Sequence, residues 1–252
     1  MLAFHKMSNI FILISAAGIF QFWTCFPSVT LPKAKPDDLK IVYYRGGGMS
    51  PYSVHFTIEK GICTYSQADM GRDHIAEFRL PDSTLQRIYQ SILNEKFSTT
   101  KDKEIPLISD HETTALTVEI PSLGFSRKVQ NSATRMIVSS QKENFKRLLE
   151  TLLGEVETEM DKHIASFEVR FLPSAKEQGA QISVYKYFFS HNSAPQYLLG
   201  KLIPDTYDFQ FYRRIEENGN SQYANSVRFT IASSITVLEV SYKNGGFQLG
   251  LK

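Results

Sequence analysis

Two cysteines and six histidines are the residues whose chemistry invites a first look. A thiol nucleophile needs a base to take its proton and a third group to orient that base. Cys63 with His55 or His74 supplies the types, but nothing in their spacing holds them together. Cys63 reads more simply as a small buried hydrophobe. His55 falls opposite Phe56 on a strand pattern, where an exposed or satisfied histidine is the plainer reading. Asp110-His111-Glu112 gathers metal-ligand types, yet neighbouring residues point different ways and the H-E-x-x-H spacing is absent. It reads as a polar strand entry. Gly46-Gly47-Gly48 would cradle a phosphate if a helix followed at once. Pro51 and a strand pattern follow instead, so a turn is expected. No G-x-S-x-G, Walker or dinucleotide fingerprint appears. No catalytic residue, metal ligand or cofactor is therefore assigned. An enzyme built from residues distant in sequence stays open as an alternative.

The chain has 252 residues, which predicts one or two domains. Hydrophobic residues at 42% and charged residues at 21% describe a globular protein and exclude wholesale disorder. A net charge of +2 offers no electrostatic footprint for nucleic acid. The charge runs 101–104 and 213–217 mix signs and read as solvated loops. Two cysteines build neither a disulfide framework nor a zinc site. A Cys25–Cys63 disulfide is an alternative if the leader is retained or cut upstream. With no such staples, the fold must rest on its core, much of it from 18 Phe and 12 Tyr.

Cys25 has a stronger context. The apolar run 9–26 precedes and includes it, after a weakly basic start at His5 and Lys6. Its core, 10–20, has the length of a signal-peptide h-region. The whole run reaches about 17 apolar residues, short of the roughly 20 that span a bilayer. An uncleaved anchor is the rival reading, and a buried core helix the lesser one. Met7 is an alternative start. Ser15 and Ala17 offer an alternative cleavage site. The spacing of Cys25 from the apolar core resembles a bacterial lipoprotein signal. That pattern has a small residue before the cysteine, where this chain has Phe22-Trp23-Thr24. The resemblance implies cleavage before Cys25, lipidation of its thiol, and a location in the periplasm, outer membrane or cell surface. One acyl chain holds only marginally, at about 0.8 kcal/mol per buried CH2, whereas several hold firmly. Residues 26–37, with Pro27, Pro32 and Pro36, read as an extended tether.

The elements that must position any site follow. Residues 38–163 read as an α+β domain. A strand at 39–44 is broken by 45–48, then 52–58 alternates with Tyr52, Val54, Phe56 and Ile58 on one face. Lys60-Gly61 turns into a strand at 62–66, and 75–80 is another. Ser83 with Gln86 forms a capping box, opening a helix to about Lys96 with Leu85, Ile88, Tyr89, Ile92 and Leu93 on its buried face. Residues 98–110 read as a surface loop, and 114–120 with 125–129 as a hairpin. Ser140 with Glu143 is a second capping box, opening a helix over 141–163. Gly154 within it marks close packing or a kink. The fold class expected is α+β: an antiparallel sheet with two helices on one face, followed by an all-β sandwich domain. The stretch 41–48, with the hairpin to Tyr65 and the helix at Leu85, resembles small uncharacterised domains of bacterial envelope lipoproteins. That family implies no activity.

Residues 165–252 read as about seven strands: 167–171, 182–189, 197–202, 207–213, 227–231, 236–242 and 247–251. Asn218-Gly219-Asn220 and Asn244-Gly245-Gly246 read as turns. Leu198 through Tyr207 resembles the core of PEGA-type and carboxypeptidase-regulatory-like β-domains, with Asp205-Thr206 where the motif has Glu-Gly. Such modules imply a non-catalytic spacer or binding role.

The expectation is an exported, lipid-anchored, non-catalytic envelope protein acting in binding or assembly, with an envelope protein or a glycan as partner. Tyr185, Tyr187, Tyr207 and Tyr212 are its candidate binding residues; filling the core is the alternative role for each. The rival functions are a secreted hydrolase or thiol-dependent enzyme, and a periplasmic small-molecule carrier needing a deep apolar pocket.

Overall fold

Alternating apolar residues draw the first half of the chain into antiparallel hairpins. In the computed structural model, which describes residues 30–69, 72–194, 199–214, 220–232 and 237–252, these are β1 (Lys40–Gly47), β2 (Ser50–Glu59), β3 (Ile62–Asp69) and β4 (Arg72–Arg79). The expected leader, its alternative cleavage sites, Cys25 and most of the 218–220 turn lie outside the described residues. Ile41, Ile58, Cys63 and Phe78 form one buried row across the strands, and Tyr43, Phe56 and Tyr65 form the next. Lys60 and Gly61 both take positive φ, 51° and 78°, as a two-residue hairpin turn requires. β6 (Thr113–Ile120) and β7 (Phe125–Asn131) continue the sheet in the order β4-β3-β2-β1-β6-β7.

Two long helices belong to this half, α1 (Asp82–Asn94) and α2 (Lys142–Met160). Leu85, Ile88 and Ile92 of α1 and Leu148, Leu152 and Val156 of α2 share one buried cluster with the strand rows. Burying each such side chain contributes roughly 1.5–3 kcal/mol.

The second half contains β9 (Ala165–Phe171), α3 (Pro173–Lys176), β10 (Ala180–Val184), β11 (Tyr187–Ser190), β12 (Leu199–Leu202) and β13 (Asp205–Arg214). It closes with β14 (Ser221–Ile231), β15 (Val237–Lys243) and β16 (Gly246–Leu251). Two four-stranded sheets result, β11-β10-β13-β14 and β12-β9-β15-β16, and the β9–β15 pair is parallel. Phe167, Val169, Ile182, Phe209, Phe211 and Val240 lie in a second core. The described chain is thus mostly β, in several largely antiparallel sheets, with few helices.

Several local expectations are corrected. β1 is not broken at Arg45. It runs on through Gly46 to Gly47, and Gly46 lies so close to Ser53 that a Cβ there would sit 2.5 Å from the Ser53 Cβ. The strand 182–189 is two strands, because Tyr185 turns the chain at φ 48° and Val184 pairs with Tyr187. Neither capping box forms a side-chain cap. The Leu85 N–H already bonds Pro81 O at 3.0 Å, placing Ser83 inside the first turn of α1. A 3-10 turn at Ser139–Gln141 leads into α2, so Ser140 lacks the extended backbone of a cap. The loop 98–110 contains β5 (Asp102–Glu104), paired with β8 (Arg135–Ile137), and the Asp102 carboxylate accepts from the Gln130 N–H at 2.7 Å. The end of the expected tether is docked on α1: Tyr89 O–H donates to Pro32 O at 2.8 Å and Gln90 to Lys33 O at 3.0 Å.

Close packing does not explain Gly154. It is exposed inside α2, and a Cβ there would meet nothing within 4 Å. Gly154→Ala should therefore stabilise the protein by about 0.5–1 kcal/mol through lost unfolded-state freedom. Urea unfolding checks this; a destabilised variant would mean that α2 is not helical there.

Candidate functional site

The two cores meet along a seam that the sequence did not announce. Ile203 of the second half belongs to the first core, and Tyr52 of β2 packs against the second. β4 places Arg72 and His74 at the seam, two residues apart and so on one face of the strand. β13 faces them with Asp205, Tyr207 and Asp208. His74 is 1% exposed. Its ring stacks on Tyr207 with centroids 3.9 Å apart, and Nδ1 lies 2.8 Å from Asp205 Oδ2. A carboxylate can only accept, so Nδ1 carries the hydrogen; in a neutral ring Nε2 is then an acceptor. Burial raises the Asp205 carboxyl, but the Thr206 N–H, His74 and Arg72 outweigh it and hold the group below its usual value. Arg72 donates to Thr206 O at 3.2 Å and lies 3.9 Å from Asp208, which Arg228 also pairs at 2.9 Å.

A cleft of about 220 Å³ opens here, lined by Tyr52, Arg72, His74, Ser183, Tyr185, Asp208 and Gln210. The Tyr52 and Tyr185 rings meet edge to face at 5.1 Å. Tyr185 holds its positive φ while only 4% exposed. A bulky residue in that region stores backbone strain, and here its buried ring keeps it in place. The cleft offers hydroxyls, an amide, an imidazole, the Arg72 guanidinium and the Asp208 carboxylate beside aromatic rings. Such groups have the hydrogen-bonding and ring-contact chemistry that a small polar ligand requires. His74 and Asp205 also have the relation of a base to its orienting group. Among the described residues, no hydrogen bond brings the Ser183 hydroxyl to His74.

The residues singled out by sequence are placed as follows. Tyr207 is 1% exposed and donates its O–H to Ile203 O at 2.9 Å. Tyr187 is half-buried on the inner face against Phe167 and Phe189. Tyr185 lines the cleft from a buried position. Of the four, Tyr212 alone stands on the outward face of its sheet, so they do not form one exposed face. Its O–H donates to Gln210 Oε1 at 2.7 Å, and its ring lies 6.0 Å from that of Tyr223. Cys63 is in the first core, where burial pushes its thiol up to about 12. His55 faces the opposite side of the sheet. His74 pairs four residues beyond Phe78, the partner of Cys63, which is about 13 Å along the strand. These three do not converge. Glu112 pairs with Arg45 at 2.9 Å, and His111 contacts its neighbour's carbonyl. No metal-binding group of side chains occurs among the described residues.

A second, larger groove of about 450 Å³ runs between α2 and β8, lined by Met136, Ile137, Phe145, Leu149 and Leu153 with Lys142 and Lys146. Thr114 of β6 and Asn131 of β7 line it as well, so it lies between α2 and one edge of the six-stranded sheet. Among the described residues, no helix is long and apolar enough to cross a membrane.

Sequence reasoning missed Arg72, His74 and Asp208 as a group. The one available signal was Asp205-Thr206, noted as a departure from the β-domain motif. Compared with family models and with curated proteins, the chain matches none.

Proposed function

We propose that this is an exported, lipid-anchored, non-catalytic envelope protein acting in binding or assembly, with the seam cleft as its binding site. The observation that carries the anchoring is the apolar run 9–26 with Cys25 near its end, followed by a proline-bearing connector to a body that supplies its own two cores. In this reading α1 and α2 cover one face of the six-stranded sheet, and the two four-stranded sheets form a sandwich. The partner is an envelope protein or a glycan, and no cofactor is involved. The burial and raised pKa of Cys63 favour this reading over the thiol-dependent enzyme.

Metabolic labelling with a palmitate analogue tests the anchor. The natural chain should incorporate label and sediment with membranes, and Cys25→Ala should lose both. Equal labelling of the two would remove the lipoprotein reading.

A further inference from the structure

Beside the cleft, the outward face of β11-β10-β13-β14 carries aromatic rings, amides and hydroxyls in two adjacent rows. The register sets Phe188 beside Ser183 and Ser183 beside Gln210 in one row. The next row runs Ser190, Gln181, Tyr212, Tyr223. Phe188 and Tyr223 are 57% and 56% exposed. Their rings flank Tyr212, with centroids 6.4 and 6.0 Å away, so three aromatic rings cross the face without a break. Between them lie only amides and hydroxyls. The two guanidiniums at the cleft, Arg72 and Arg228, are set against two carboxylates, Asp208 and Asp205, and Lys186 adds one charge over the Tyr185 ring. Ser183 and Gln210 belong to both the strip and the cleft, so the two form one continuous surface.

We propose that this surface binds a neutral polysaccharide strand, with sugar rings stacked on Phe188, Tyr212 and Tyr223 and one residue seated in the cleft. A pyranose presents apolar C–H faces to aromatic rings and a girdle of hydroxyls that both donate and accept. The amides of Gln181 and Gln210 complement that girdle with donors and acceptors together. With two guanidiniums set against two carboxylates at the cleft, the surface favours an uncharged chain over an anion or a basic peptide. The Gln210 amide, accepting from the Tyr212 O–H, fixes the ring that stands at the junction of strip and cleft. The proposal rests on the binding reading above and is independent of lipidation at Cys25.

The full-length chain, purified in detergent, should be titrated against an array of neutral hexose and N-acetylhexosamine oligosaccharides, with sulfated glycans and unrelated peptides alongside. Binding to at least one neutral series is expected. Tyr212→Ala and Tyr223→Ala should each weaken it by about tenfold, while Tyr223→Phe retains it. Both Ala variants alter partly or largely exposed side chains, and unchanged thermal unfolding would separate lost binding from lost folding. Absence of binding to every neutral probe, binding to sulfated glycans or peptides alone, or undiminished binding by both Ala variants would overturn the proposal. Such a failure would leave the Cys25 labelling result untouched.

Discussion

Tyr207→Ala should lower the unfolding free energy by about 3–5 kcal/mol, the range for removing a buried aromatic ring. Tyr207 is almost inaccessible, and it joins both halves of the described chain. Its ring packs in the second core and stacks on His74 of β4, while its hydroxyl bonds the carbonyl of Ile203, a member of the first core. Truncation therefore opens a cavity at the seam and removes the face against which His74 is held. Tyr207→Phe keeps the ring and loses one buried hydrogen bond, so about 1 kcal/mol is expected. Urea unfolding of the three chains measures both steps. A cost under about 1 kcal/mol for Tyr207→Ala would show that the seam is not packed as described. The same result bears on function, because weakened ligand binding in this variant would report a disturbed seam and not a lost contact.

The second large effect is expected at a residue with no side chain. Glycine in a strand interior usually costs about 0.5–1 kcal/mol relative to alanine, so a first guess has Gly200→Ala stabilising β12. The structure reverses the sign. Gly200 pairs with Phe167 on β9, and the Phe167 ring lies over it. A Cβ at Gly200 would come 2.7 and 2.9 Å from Cε1 and Cε2, and closer still to Cζ. Phe167 is 2% exposed and packed edge-on to Phe189 at 5.9 Å, so its ring cannot swing aside cheaply. Gly200→Ala should destabilise by about 1–3 kcal/mol through overpacking. The collision can be isolated with a double-mutant cycle. In a Phe167→Leu background, the cost of Gly200→Ala should fall by at least about 1 kcal/mol. Equal costs in both backgrounds would refute the ring contact. Gly154 and Gly200 thus carry opposite expectations for the same substitution, and only their surroundings distinguish them.

Much of this protein was legible one element at a time. The two-residue alternation of Phe56 and Ile58, the helical spacing of Leu85, Ile88 and Ile92, and the Lys60-Gly61 and Asn244-Gly245 turns are local patterns, and they set strands, helices and hairpins near their observed bounds. The run ending near Cys25 is likewise a property of adjacent residues. Where a local signal competed with packing, packing prevailed. Tyr185 turns the chain without a glycine because its ring is buried against Tyr52, and the capping boxes at Ser83 and Ser140 lost to turns that started elsewhere. The cleft was beyond any local pattern. His74 and Asp205 are 131 positions apart, and what joins them is the way two separately formed cores close on each other. Periodicity reports which face of an element is buried. Which side chains then meet across two buried faces is decided by the packing of whole layers, and that exists only in the folded chain.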